Sequence, residues 1–189
     1  MDGRLAINRT TRAVEIERRA YRRNGESDLL MPTRRRSRVG DVTAIPITES
    51  KIACAQIMEK RTLLYMAVFD KLYKNPPLVD DVIVSKPILL GWAADAGIYL
   101  GKWMILGRTN LADVDFKGKK YKVVFENRVW VENFDGELLR EATASEEKVL
   151  YNRTSYTPAL FEHIIRAFYG IEPWDSRFDG LLPEASNLD

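Results

Sequence analysis

The apolar residues between Gly40 and Gly107 occur in short runs separated by turn residues, and this spacing constrains the fold more than any other feature of the chain. Runs of this length are too short for ordinary helices, and their β-branched and aromatic residues favour buried strands. They cover residues 42–47, 52–58, 63–69, 87–92 and 98–106. We therefore predict a β-rich module in which the first three runs form a meander and the last two form a hairpin connected by residues 93–97.

Prolines set limits on two parts of this module. Because proline cannot donate a backbone hydrogen bond, Pro46 predicts that the first strand lies at a sheet edge or contains a bulge. The pair Pro76-Pro77 cannot continue a strand or a helix. We therefore predict a long surface connection after the third run.

Two further strand-like runs follow at residues 121–125 and 128–134, and Asp135-Gly136 stands directly after the second. Asp-Gly between strands is a strong hairpin signal, since both central residues of a type I′ turn need a positive φ. The sequence therefore predicts a type I′ hairpin turn at Asp135-Gly136.

Beyond Thr143 the apolar spacing changes to a helical period, and the clearest helix signal runs from Thr157 to Gly170. Proline in the first turn and glycine after the last turn suit such a helix. One face carries Phe161, Ile164, Ile165 and Phe168. The sequence therefore predicts an α+β fold, with a curved and mostly antiparallel β-sheet, open or barrel-like, and a C-terminal helical cover.

Charge is distributed unevenly along the chain. Residues 1–38 carry 11 arginines and 5 acidic residues, a net charge of +6, whereas residues 39–189 carry 18 basic and 22 acidic residues, a net charge of −4. Helix-forming residues from Thr10 to Asn24 predict a marginal helix within the basic segment. We therefore divide the chain into an Arg-rich arm and linker (1–38), one α+β domain (39–170) and an irregular tail (171–189).

Catalytic chemistry has few candidate residues. The chain contains one His and one Cys, so His163 and Cys54 form the only nucleophile and base pair of that kind. We expect His163 to face solvent and Cys54 to lie in a buried strand. The same counts exclude an internal disulfide and a metal site built from His or Cys clusters, and the glycines form no phosphate-binding motif. We therefore expect no catalytic residues, no cofactor and no metal.

The first residues contain no apolar run of the length of a signal peptide. No segment approaches the ~20 consecutive apolar residues that a membrane-spanning helix needs. Together with the single Cys54, these features predict a soluble cytoplasmic protein without a membrane partner.

Several short strings are informative through their order. The body opens with Val39-Gly40-Asp41-Val42, continues with Val68-Phe69-Asp70 and Gly101-Lys102-Trp103, and then reaches Asp135-Gly136 and a closing helix that ends at Tyr169-Gly170. In this order and spacing, residues 35–170 resemble the immunity protein 26 family of bacterial polymorphic toxin systems. The resemblance implies a small protein that neutralises a toxin by binding it, without catalysis of its own.

Binding residues tend to collect at strand ends and in connections. On position alone, four acidic residues are therefore candidates for toxin binding: Asp70, Asp80, Asp81 and Asp95. A mildly acidic body would suit a basic nuclease toxin and would steer its approach.

Two other classes of function remain open. The arm carries Arg18-Arg19, Arg22-Arg23 and Arg34-Arg35-Arg36, which could neutralise phosphates in a nucleic-acid-binding regulator. An enzyme that uses carboxylates distant in sequence would need two of them to converge in a deep pocket. The tryptophans fit either a core or an interface, although the apolar neighbours of Trp103 predict that it is buried.

Overall fold

The computed structural model describes residues 36–186, all of which belong to one compact unit spanning residues 34–189. These residues form nine strands in two sheets, with four short α-helices and two 3₁₀-helices. The helix predicted at Thr10–Asn24 and the arginines before Arg36 lie outside the described residues. The α+β class predicted from the sequence is confirmed.

The larger sheet has six strands in the order β5-β1-β2-β3-β4-β9. All neighbours are antiparallel except β4 and β9. The strands are β1 (Asp41–Thr48), β2 (Lys51–Lys60), β3 (Leu64–Phe69), β4 (Pro87–Ala93), β5 (Met104–Arg108) and β9 (Ser155–Tyr156). The meander predicted from the first three runs is therefore confirmed. The sheet is open, so the barrel-like alternative is not realised.

Pro46 lies where its missing N–H is tolerated. The pairing of β1 with β5 ends at Ala44, so no strand flanks Pro46 on that side. On the other side Pro46 is opposite Ile52, and the register shifts between Pro46 and Thr48. The predicted irregularity is confirmed as a bulge near the end of a strand whose first half lies inside the sheet.

The hairpin predicted from residues 87–92 and 98–106 is wrong. After β4 the chain forms helix α2 (Ala96–Tyr99) and crosses to the far edge of the sheet, where β5 pairs with β1. Packing of Gly97 against Trp103 explains the difference, since a Cβ on Gly97 would lie 2.4 Å from the Trp103 ring. Trp103 is only 1% exposed, as the sequence predicted, and its Nε1 donates to Oε1 of Glu162 at 2.7 Å. The buried indole therefore packs the chain between β4 and β5 against the C-terminal helix.

The smaller sheet contains β6 (Tyr121–Phe125), β7 (Arg128–Glu132) and β8 (Leu138–Glu141), joined by two hairpins. The type I′ feature occurs at the first hairpin, because Glu126 and Asn127 have φ angles of 49° and 61°. At the second hairpin only Gly136 has a positive φ, of 96°. The hairpin after Asn133 is therefore confirmed, but the predicted turn type is wrong. Its backbone bonds from Gly136 N to Asn133 O and from Asn133 N to Glu137 O indicate a three-residue loop.

The C-terminal helix α4 (Pro158–Phe168) begins after Thr157, whose hydroxyl accepts from Leu160 N, and is followed by Gly170 with a φ of 68°. Its buried residues are Phe161, Ile164, Ile165 and Ala167, while Phe168 is 36% exposed. The helix packs on one face of the large sheet together with a cluster that includes Ile45, Ala55 and Ile57. The predicted helical cover is confirmed.

The opposite face of the large sheet has its own core, which includes Cys54, Tyr65 and Trp92. Gln56 is fully buried there, and its amide accepts from Ala112 N and donates to Asn110 O, both at 2.8 Å. These bonds attach residues 110–112, which belong to the segment that links the two sheets, to β2. Both faces of the sheet are therefore covered within the described residues.

Two of the remaining helices are α1 (Val79–Ile83) and α3 (Ala144–Val149). Thr143 and Glu146 form a capping box at the start of α3. The segment predicted as an irregular tail instead contains 3₁₀-helices at Ser176–Leu181 and Pro183–Ser186. Phe178 and Leu181 in this segment are 5% and 2% exposed, because they join the core under α4.

Candidate functional site

The connection between β3 and β4, Asp70 to Lys86, is long for two neighbouring antiparallel strands. It contains α1 and is attached to the sheet at two points. Tyr73 exchanges backbone hydrogen bonds of 2.8 and 2.9 Å with Ile52, and Val82 is fully buried in the core. The connection is therefore a folded surface element, which we call the β3–β4 connection.

Three of the four candidate acids lie on the β3–β4 connection, and the fourth lies elsewhere. Asp70 follows β3, and its backbone N–H donates to Lys86 O just before β4 begins. Asp80 and Asp81 occupy the first turn of α1. Asp95 precedes α2, beyond the opposite end of β4. A strand of this length separates Asp70 from Asp95 by about 20 Å, so the predicted set is split into two places.

The β3–β4 connection has as many lysines as acids, but the two kinds of charge differ in their partners. Lys71 Nζ lies 5.1 Å from the centre of the Tyr73 ring, and Lys86 Nζ lies 3.7 Å from Oε1 of Glu184. In contrast, none of its three carboxylates forms an ion pair with a described residue. Within the part of the chain that the structure describes, the exposed carboxylates of the connection therefore remain available to a partner.

Electrostatic effects of these carboxylates reach two tyrosines. Burial raises the pKa of Tyr73, and the charges of Asp81 and Asp70 raise it further, whereas a hydrogen bond with Ser85 lowers it. Burial also raises the pKa of Tyr169, and the charge of Asp70 raises it further. The Tyr169 hydroxyl donates to Phe69 O at 3.1 Å, at the end of β3. Asp70 therefore sits beside two neutral phenols.

Two exposed apolar side chains lie on the β3–β4 connection together with these acids. Val84 is 82% exposed and Leu78 is 50% exposed. Both flank α1, whose Val82 is buried. Sequence reasoning missed these two residues because it considered only charge, although the unfavourable exposure of large apolar groups is a signal of an interface.

The candidate nucleophile and base lie on different faces of the sheet. Cys54 is fully buried in the core opposite α4, as predicted, and burial raises the pKa of its thiol to about 12. His163 lies on α4 and pairs through Nδ1 with the Glu172 carboxylate. It is only partly exposed, rather than facing solvent as predicted, and its ring packs edge-on against Phe178. The two residues do not form a catalytic pair.

Among the described residues, no group of three or more His, Cys, Asp or Glu side chains could hold a metal ion. No helix in that part of the chain is long and apolar enough to cross a membrane. Of the Arg-rich arm on which nucleic-acid binding would depend, only residues 36–38 are among the described residues.

The described residues therefore form an open, mostly antiparallel sheet that is covered on both faces and carries a folded connection with exposed acids and apolar groups. Residues 38–127 match the model of the family described as Immunity protein 26, which confirms the family resemblance for this stretch. The match extends from the start of β1 to the turn after β6 and contains the whole β3–β4 connection. No curated protein and no solved structure matches the chain.

Proposed function

We propose that the protein neutralises a toxin by binding it through the β3–β4 connection, and that it performs no chemistry on the toxin. The family match supports the class of function, because it makes the chain similar to immunity proteins over the residues that contain this connection. The observation that carries the proposed surface is the connection itself, which bears both exposed carboxylates and exposed apolar side chains.

The length of the connection supports this assignment. Seventeen residues separate β3 from β4, whereas two antiparallel neighbours can be joined by about 2–5 residues. Within the connection only Val82 is a buried core residue, and Leu72, Tyr73, Val79 and Ile83 are partly buried against the two cores. Long structured loops of this kind are usually functional, because the rigid sheet holds them in place for a partner.

The chemistry of the connection specifies a partner with a basic surface. Carboxylates at the rim of an interface raise the association rate and select the orientation of approach. Apolar groups that become buried at its centre slow dissociation. Asp70, Asp80 and Asp81 serve the first role, while Leu78 and Val84 serve the second. A toxin whose active site carries lysine and arginine side chains fits both.

The first experiment captures the partner with the full-length chain from its own cells and identifies it by mass spectrometry. The matched test then compares two variants in a co-expression protection assay. Reversing Asp70, Asp80 and Asp81 to lysine is expected to lower the association rate by about tenfold or more at low salt and to reduce protection. Asp95→Lys is the control, because Asp95 is also exposed but lies beyond the other end of β4. Equal protection by the triple variant and the control would remove this surface from the proposal.

A second pair of variants tests the apolar centre. Replacing Leu78 and Val84 with serine should leave the association rate unchanged and raise the dissociation rate by about tenfold or more, because apolar contact area is lost. Deletion of residues 1–38 should leave protection intact. Loss of protection on deletion, together with steeply salt-dependent nucleic-acid binding by the intact chain, would instead support the nucleic-acid-binding alternative.

A further inference from the structure

A cavity of about 600 Å³ lies at β4 and is lined by residues from both faces of the large sheet, with none from the β3–β4 connection. Its floor is β4 around Gly91, and its walls come from residues 119–121, residues 151–156, the start of α4 and the 3₁₀-helix Ser176–Leu181. Its volume is within the range of small-molecule sites, about 300–1,000 Å³. Nothing in the proposed toxin binding uses this cavity.

A buried cation stands in the cavity wall. Lys119 is 3% exposed, and its Nζ donates to the Gly180 carbonyl at 2.7 Å. A lysine ammonium group carries three N–H donors, and this bond uses one of them. No described carboxylate lies within ion-pair distance of Lys119, whose Nζ lies 5.9 Å from the centre of the Tyr121 ring. Burial lowers the pKa of Lys119 to about 8, so the group is still largely charged at neutral pH. A buried charge without a counterion is unfavourable unless a ligand compensates it.

The other ionisable groups of the wall do not supply that compensation. The Asp175 carboxylate is held by Arg177, whose Nε lies 2.9 Å from Oδ2, and this contact lowers the pKa of Asp175 to about 2. His163 is paired with Glu172. The acidic group that lines the cavity is therefore already neutralised by its own arginine. Lys119 has the Gly180 carbonyl and the Tyr121 ring beside it, but no carboxylate counterion among the described residues.

A second donor in the wall already has an acceptor beside it. Trp92 lines the cavity and is 5% exposed, and its indole N–H interacts with the Tyr121 hydroxyl, an interaction that lowers the pKa of Tyr121 against the larger effect of burial. The neighbouring lining is aromatic, with Tyr121, Tyr156 and Phe178 all less than a tenth exposed.

We propose that this cavity binds a small aromatic carboxylate. The carboxylate accepts hydrogen bonds from Lys119, and the aromatic ring packs among the tyrosine and phenylalanine rings. A carboxylate accepts several hydrogen bonds and carries the charge that the ammonium group lacks, whereas a neutral ligand would leave the cation uncompensated. The half-open cavity is large enough for a ring with a short substituent.

The experiment titrates the full-length protein with benzoate and, as the neutral counterpart of the same shape, with benzamide. The chain has a single histidine, so the ring signals of His163 report on the cavity without overlap in NMR spectra. The indole N–H signal of Trp92, assigned by its loss in Trp92→Phe, is the second reporter. We expect benzoate to shift both signals with a Kd of about 1 mM, as suits a ligand of this size, and benzamide to bind about tenfold more weakly or worse.

Lys119→Met should weaken benzoate binding by about tenfold or more, which corresponds to loss of one charge-assisted contact. Lys102→Met is the matched control, since Lys102 is an exposed lysine outside the cavity, and it should bind benzoate like the unchanged protein. Leu160→Trp fills the mouth of the cavity from α4 and should prevent binding while leaving Lys119 in place. Benzoate that shifts neither reporter, or that binds Lys119→Met as well as the unchanged protein, would overturn the proposal.

Discussion

Replacement of Lys119 with methionine is expected to stabilise the protein at neutral pH. Burial lowers the pKa of Lys119 from 10.5 to about 8, a difference that corresponds to about 3 kcal/mol at 1.36 kcal/mol per unit. Methionine fills a similar volume without the charge. The variant also loses the hydrogen bond to the Gly180 carbonyl, which costs about 1 kcal/mol. The expected net gain in the free energy of unfolding is therefore about 2 kcal/mol.

The pH dependence of this gain follows from the direction of the shift. Below pH 8 lysine is protonated in both the folded and the unfolded chain, so the full penalty for burying the charge is present. Between pH 8 and 10.5 the unfolded chain binds the proton more strongly, so the stability of the unchanged protein rises relative to the variant. Above 10.5 only the lost hydrogen bond remains, and the variant becomes the less stable of the two.

Urea denaturation of the two proteins at pH 7, 9 and 10.5 measures this difference. Lys102→Met is again the control, because an exposed lysine should change the stability by less than about 0.5 kcal/mol at every pH. If Lys119→Met destabilised the protein at pH 7, or if its effect did not depend on pH, the ammonium group would be compensated within the protein and the reasoning would fail.

Three further variants test local features of the fold by urea denaturation. Changing Glu126 to Asn and Asn127 to Gly together should stabilise the protein by about 0.5–1 kcal/mol, since Asn-Gly suits the two positive φ angles of this turn, and a loss would contradict the turn assignment. Gly97→Ala should destabilise it by about 2–3 kcal/mol because the added Cβ meets the Trp103 ring, and a neutral effect would show that the crossover can relax. Thr143→Ala should cost about 1 kcal/mol by removing the cap of α3, whereas no change would mean that the capping box contributes nothing.

The elements that sequence predicts well here are those defined by neighbouring residues. The helix from Pro158 to Phe168 has proline at its start, glycine beyond its end and an apolar face, and each of these signals acts within a few residues. The meander β1-β2-β3 likewise follows from three short apolar runs joined by tight turns. The position of Pro46 near a bulge needs only the knowledge that proline lacks a donor.

The errors arose where a distant contact decided the local structure. Residues 98–103 have the composition of a strand, but burial of Trp103 against Gly97 and α4 bends the chain into a helix and sends β5 to the opposite edge. In the smaller sheet, Glu126-Asn127 adopts the type I′ conformation although Asp135-Gly136 is the better local match. The pairing of the flanking strands there overrides the intrinsic preference of the turn residues.

The candidate binding surface was predicted in part. Acidic residues in connections can be identified from sequence, but their distances from one another cannot, and the structure places Asp95 beyond the far end of β4 from the other three acids. Leu78 and Val84 join the surface only because α1 turns Val82 inwards. The cavity could not have been predicted, since Lys119, Trp92 and His163 come from three separate parts of the chain.

Composition and short-range spacing are enough to establish the α+β class, the closing helix and the scarcity of nucleophilic residues. The family resemblance is also visible in the sequence, and a family model matches residues 38–127. Which acids share a surface, and which lysine is buried without a carboxylate counterion, depends instead on how the chain folds. Those properties depend on contacts between residues far apart in the chain, where desolvation and packing, rather than local preference, set the energy.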